Sequence, residues 1–242
     1  MSPRRHDRND ILAIALRDVR LQQGGFELHI PEWTVPAGQV VGLVGPNGAG
    51  KTNLLDLVAG LRAPTSGSVR VLGGDPVAEA GRIRQRLGYM CDDLPLYDLK
   101  LRDLLKLLSG YYPTWDATLV ATLVGRFELD LEQRPSALSK GQGARFRTLL
   151  AVAHRPALVV LDEPATGLDL SGRRALLTTL LEVVADAGRT VVVSSHQLAD
   201  LERIADTLVV LNRGRIQTHG PADVVVPDGR TLEEVLLAGG AA

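Results

Sequence analysis

Short runs of Val and Leu alternate along this chain with stretches whose apolar residues recur every three to four positions. The first pattern predicts strands buried on both faces, the second helices, and their interleaving predicts an α/β fold with a largely parallel sheet. Residues 11–20 and 26–35 read as two strands of an N-terminal antiparallel part, joined by a turn at Gly24-Gly25, and Pro36-Ala37-Gly38 breaks the chain before an apolar strand over 39–44. A helix is predicted over 51–59, closed by Gly60, with short strands over 69–72 and 87–90. From about 99 to 134 only helical periodicity is present. Leu101, Leu104, Leu105 and Leu108 share one face there, and Leu119, Leu123 and Phe127 share another. Alternation resumes with a helix over 140–154, a strand over 158–161, a helix over 172–187 and strands over 190–194 and 207–211. The expected organisation is one domain over 11–238, its core in 11–90 and 139–238, with an inserted helical subdomain at about 91–138.

Composition changes this picture little. The 242 residues are 45% hydrophobic and 23% charged, ordinary values for a globular chain, and 27 Lys and Arg against 28 Asp and Glu give a net charge of −1. That balance offers bare nucleic acid no basic stripe, so no nucleic-acid partner is expected. Cys91 is the single cysteine, which excludes an internal disulfide. Residues 1–10 carry Arg4, Arg5 and Arg8 with no apolar stretch behind them, and read as a disordered tail rather than a signal peptide. No apolar run reaches the roughly 20 residues that span a bilayer.

Candidate chemistry starts at Gly45-Pro46-Asn47-Gly48-Ala49-Gly50-Lys51-Thr52, which fits the phosphate-loop pattern GxxxxGK[ST] between a predicted strand and a predicted helix. Glycines let consecutive backbone N–H groups curl around a phosphate, and the helix N-terminus adds positive partial charge. Lys51 can reach the β- and γ-phosphates of ATP, and the Thr52 hydroxyl can ligate Mg²⁺. Downstream, the apolar strand 158–161 ends in Asp162 and Glu163. Asp162 can hold Mg²⁺ through water, and Glu163 is the candidate general base toward a water attacking the γ-phosphate.

With Leu138-Ser139-Lys140-Gly141-Gln142 between these two motifs, Ala165-Thr166-Gly167-Leu168-Asp169 after them and Ser194-Ser195-His196 closing a Val-rich strand, the chain resembles the ABC ATPase family. The ordered set runs from about Ile11 to Ala238. The resemblance implies a P-loop NTPase core of the RecA-like kind and a head-to-tail dimer with a second ATPase subunit. ATP held by Lys51 of one copy would then be capped by Ser139, Gly141 and Gln142 of the other, with Asp169 across the interface and His196 at the γ-phosphate. Tyr111-Tyr112-Pro113-Thr114-Trp115-Asp116, the signature segment and the ending Thr231-Leu232-Glu233-Glu234-Val235-Leu236 are similar to bacterial ABC-2-type exporter ATPases. That similarity implies an integral membrane transport subunit on a separate chain, with this chain at the cytoplasmic face of the membrane. A non-transport ABC ATPase, or a module that binds ATP without turnover, is the alternative.

Two positions depart from the family. Where a glutamine normally follows a strand, this chain has Asp92, which can hold Mg²⁺ or simply form a turn with Asp93 before Leu94-Pro95. Where an aromatic normally stacks on adenine, the chain has Gln23; nearby Phe26 alternates with Leu28 and Ile30 and reads as a core residue, so weak base selectivity is expected. His29, His154, His219 and Cys91 carry no expected chemistry.

Overall fold

The structure, a computed structural model, describes residues 11–92, 94–184, 188–196, 201, 204–226 and 234. The expected tail over 1–10, the last turn of the helix expected to end at 187 and nearly all of the ending at 231–236 lie outside the described residues.

Two sheets form the fold. Strands β1 (Leu12–Gln23), β2 (Phe26–Pro36) and β4 (Ser66–Val71) make an antiparallel sheet in the order β2-β1-β4. A six-stranded sheet runs in the order β5-β6-β7-β3-β8-β9 and contains β3 (Val40–Val44), β5 (Leu87–Met90), β6 (Leu158–Asp162), β7 (Thr190–Ser195), β8 (Thr207–Asn212) and β9 (Arg215–Pro221). Its first five members are parallel and β9 pairs antiparallel at the edge. The helices are α1 (Lys51–Ala59), α2 (Ala80–Arg84), α3 (Leu101–Ser109), α4 (Ala117–Arg126), α5 (Lys140–Val152), α6 (Leu170–Val184) and a last turn, Ala222–Val225. This α/β architecture, mixed but mostly parallel with a separate antiparallel sheet, is the one the alternating pattern predicts. Among the described residues no helix is long and apolar enough to cross a membrane.

The central strands are apolar throughout because both of their faces are covered. Successive side chains of β6 go to opposite sides: Val159 and Leu161 join the core under α3, α4, α5 and α6, while Leu158 and Val160 join the core under α1 and the antiparallel sheet. Val40 and Val44 against Val41 and Leu43 repeat the division in β3. In the helical stretch, Leu101, Leu104 and Leu105 of α3 and Leu119 and Leu123 of α4 are buried as their spacing predicts. Asp116 starts α4 by accepting the Leu119 N–H at 2.8 Å.

Three elements depart from the sequence pattern. β4 begins at Ser66 rather than 69, since pairing of Ser66 with Arg20 and Ser68 with Arg17, and not apolarity, defines its start. Helix α2 has five residues and buries only Ile83, too little periodicity to read. β9 buries no residue fully and carries Gln217, Thr218 and His219, so it has no apolar signature. What creates it is the turn: Arg213 (φ 45) and Gly214 (φ 73) are both left-handed, the two-residue hairpin geometry that matches strand twist.

That hairpin tip is stitched to both neighbouring layers. Gly214 N–H donates to the Ala49 carbonyl at 2.9 Å, and its carbonyl accepts the His29 N–H at 2.8 Å. A Cβ on Gly214 would stand 2.0 Å from the Glu27 carbonyl oxygen. Gly214→Ala is therefore expected to cost about 2–3 kcal/mol, from left-handed strain plus a clash with backbone. Chemical denaturation would check this, and an unchanged midpoint would show that the tip does not seat against β2.

Candidate functional site

The segment 45–50 leaves the C-terminal end of β3 and turns directly into α1. Gly48 (φ 80) and Gly50 (φ 102) take conformations that L side chains avoid. At Gly50 space is also closed, since a Cβ there would come within 2.7 Å of Cζ of Phe26. The Lys51 side chain is folded back into the loop and 7% exposed. Its Nζ donates to the Gly45 carbonyl at 2.9 Å and the Pro46 carbonyl at 3.4 Å, and lies 3.5 Å from Glu163 Oε1.

Asp162 ends β6 beside this loop. Its buried carboxylate accepts the Thr52 hydroxyl at 2.6 Å on Oδ2 and the Ser194 hydroxyl on Oδ1. Ser194, from the neighbouring β7, also accepts the Glu163 N–H at 2.9 Å, so one hydroxyl spans both acids. Glu163 is left-handed (φ 51), which turns its side chain away from the strand direction and toward His196. His196 Nδ1 lies 2.6 Å from Glu163 Oε2, and its N–H donates to the same oxygen at 3.4 Å. Lys51, Glu163 and His196 thus form one chain of contacts across the mouth of the loop.

The loop and the end of β6 enclose a cavity of about 430 Å³, lined by Asn47, Gly48, Gly50, Lys51, Thr52 and Asn53 on one side and by Phe26, Asp162 and Glu163 on the other; His196 does not line it. A donor-rich loop with one lysine suits a polyphosphate. Thr52 Oγ1 and Asp162 Oδ2 offer adjacent hard oxygen donors of the kind Mg²⁺ takes. Among the described residues no group of three or more His, Cys, Asp or Glu is arranged to hold a metal ion.

The remaining predicted residues stand elsewhere. Ser139 and Gln142 form a reciprocal cap at the start of α5: Ser139 Oγ accepts the Gln142 N–H at 3.2 Å, and Gln142 Oε1 accepts the Ser139 N–H at 3.0 Å. Gly141 packs so close to Leu168 that a Cβ would come within 2.7 Å of its Cδ2. Asp169 accepts the Gly172 N–H at 2.9 Å and the Ser171 hydroxyl at 3.1 Å; the backbone bond first and the hydroxyl second hold its pKa below the usual carboxylate range. None of these residues lines the phosphate-loop cavity. Asp92 is exposed, two residues beyond the end of β5, and does not line it either.

Sequence reasoning missed two members. Ser194 enters the sequence reading only within the Ser194-Ser195-His196 segment, without a role of its own, although it is a polar residue at the end of an apolar strand. Phe26 reads as core from alternation, and it does pack on the inner cluster, yet its ring also forms a wall of the cavity.

Residues 28–166 match the family described as ABC transporter. Among curated proteins, the chain is 31% identical over 176 residues to the ABC transporter ATP-binding protein YtrB of Bacillus subtilis, covering 72% of this chain and 60% of that protein. It is 30% identical over 240 residues to the phosphonates import ATP-binding protein PhnC 1 of Rhodopseudomonas palustris, covering 90% and 84%. With the Nod factor export ATP-binding protein I of Rhizobium johnstonii it shares 29% identity over 238 residues, 95% of this chain and 76% of that one. The chain spans about 60% of the length of YtrB and of a further relative. A solved structure, that of an ATP-binding subunit of an ABC transporter, superposes with a TM-score of 0.82 at 26% identity, covering 94% of this chain and 99% of that chain.

Proposed function

Because the chain belongs to the ABC transporter family, we propose that it is the ATP-binding and ATP-hydrolysing subunit of an exporter, acting as a head-to-tail dimer on a separate membrane subunit. The observation that carries the reading is the convergence of Lys51, Thr52, Asp162 and Glu163 on one cavity at the end of the parallel sheet, with His196 in contact with Glu163. Loop N–H groups and the N-terminus of α1 receive the phosphates, and Lys51 exchanges its contacts with carbonyls and Glu163 for β- and γ-phosphate oxygens. Thr52 and Asp162 are the residues that would hold Mg²⁺, which neutralises charge on the phosphates when bound. Glu163 accepts a proton from the water that attacks the γ-phosphorus while the bond to the β–γ bridging oxygen breaks, giving ADP and phosphate. His196 keeps the Glu163 carboxylate oriented. The Phe26 ring, standing over Gly50, is the surface on which the base would rest, in place of an aromatic at Gln23.

The dimer reading is supported by a second candidate anion site at the start of α5, which among the described residues meets only its own cap. Ser139 and Lys140 are exposed there and Gly141 and Gln142 half-buried, so a γ-phosphate from another copy could take those N–H groups in place of the cap. Export is supported by the resemblance of 111–116 and 138–142 to exporter ATPases; named relatives include both an exporter and an importer subunit. The membrane subunit would select the substrate and hold this chain at the cytoplasmic face. Asp92, just beyond β5, would take the place of the family's glutamine toward Mg²⁺ and that subunit.

Glu163→Gln should retain ATP affinity within about threefold yet lose at least about 100-fold in steady-state hydrolysis, the usual scale of general-base removal; near-normal phosphate release would remove Glu163 from that role. In the hydrolysis-deficient background, Ser139→Arg should abolish ATP-dependent dimerisation, read by light scattering, and leave monomer binding intact. Phe26→Ala should weaken ATP titrations about tenfold, within the 1–3 kcal/mol of a base–aromatic stack; unchanged affinity would return Phe26 to a packing role.

A further inference from the structure

At the end of the six-stranded sheet opposite the phosphate loop, where β5, β6 and β7 begin, lies a cleft of about 1000 Å³. It opens between the antiparallel sheet, the connections entering those strands and Thr114 ahead of α4. Its floor is aliphatic. Ile11, Leu12 and Leu72 line it, and Ile11 and Leu12 stay 65% and 37% exposed. Its rim is cationic, with Arg70 from β4, Arg86 before β5, Arg155 before β6 and Arg189 before β7, and among the described residues none that lines it is acidic.

Among the described residues the positive charge is incompletely compensated. Arg155 pairs with Asp116 at 2.6 Å, a carboxylate already engaged in capping α4. Arg70 feels Asp75 and Glu79 only at longer range, and Arg189 donates to the Val183 carbonyl at 3.4 Å. Burial first, and the Arg155 guanidinium second, pull the Arg189 pKa down, although it stays cationic. An anion placed between these guanidinium groups would relieve both effects.

We propose that this cleft binds a single-chain aliphatic anion, its carboxylate or phosphate head held by Arg86 and Arg189 and its alkyl chain laid along Ile11, Leu12 and Leu72. The chemistry of the walls selects this class. Among the described residues no aromatic side chain lines the cleft, so a nucleotide base finds no stacking surface there. A purely polar polyanion would leave the aliphatic floor in water, and a neutral alkane would leave the arginines uncompensated. Planar guanidinium groups bind carboxylate and phosphate bidentately, and the volume is that of a small-molecule site. The cleft is built from residues separate from Lys51, Asp162 and Glu163, so the proposal stands or falls independently of the ATPase reading.

The test is calorimetric titration of the whole chain with decanoate, dodecanoate, decyl phosphate and 1-decanol, all below micelle formation. Decanoate and decyl phosphate should bind saturably at one per chain, and affinity should rise about fourfold per buried methylene between decanoate and dodecanoate. The alcohol should bind at least tenfold more weakly than decanoate. Arg86→Gln and Arg189→Gln should each weaken decanoate at least tenfold while ATP titration and thermal midpoint stay unchanged, which shows that the variants are folded. Absence of saturable binding, equal binding of the alcohol, or indifference to both arginine variants would overturn the proposal. So would capture on anionic phospholipid vesicles without any binding of decanoate, an outcome that would assign the arginines to a membrane surface.

Discussion

The Asp162 carboxylate is the interaction on which the candidate site depends. It is 7% exposed, and an ionised group so buried is tolerated only with its oxygens hydrogen-bonded. Its two partners come from different elements, Thr52 from the first turn of α1 and Ser194 from the end of β7. Meeting that one electrostatic requirement fixes the helix start, two strand ends and the intervening loop relative to one another. Ser194 then passes the constraint on by accepting the Glu163 N–H, and Glu163 passes it to Lys51 and His196. The polar network is therefore a consequence of placing one acid at the tip of an otherwise apolar strand.

A second support reaches the same loop from behind. Ala49 is held through its carbonyl by Gly214, which in turn holds His29 of β2. The antiparallel sheet, the loop and the edge hairpin are thereby joined by two backbone hydrogen bonds through a single residue. Phe26 stands over Gly50 because of this seating, since it begins the strand that the hairpin tip grips. The parallel sheet thus has two chemically distinct ends: one where carboxylates, a lysine and a histidine meet at close range, and one where, among the described residues, four arginines and no acid line a cleft.

Much of this was readable from the chain because apolar burial on both sheet faces leaves a strong trace, as in Val159 and Leu161 against Leu158 and Val160. The phosphate loop was equally plain, since its glycines answer to backbone geometry that no other residue meets cheaply. What escaped was structure dictated by partners rather than by local pattern. β9 exists because Arg213-Gly214 reverses the chain, and its polar residues give no sign of it. Ser194 carries meaning only when Asp162 and Glu163 are brought beside it. Phe26 obeys strand alternation and still faces the cavity, because a ring at a strand's first residue can lean past the edge of the core.

The left-handed backbone of Glu163 has a bearing on how this sequence can drift. An L residue pays roughly 1–2 kcal/mol to sit at φ 51, and a glycine would sit there freely. Judged by backbone conformation alone, the position favours losing its side chain; the hydrogen bond from its N–H to Ser194 would survive the loss, while the pairing with Lys51 and His196 would not. The glutamate stands there against the preference of the backbone. A descendant of this chain with no demand on that acid would be expected to exchange Glu163 together with its partner Lys51, while Asp162, on which the packing itself rests, would be among the last residues to go.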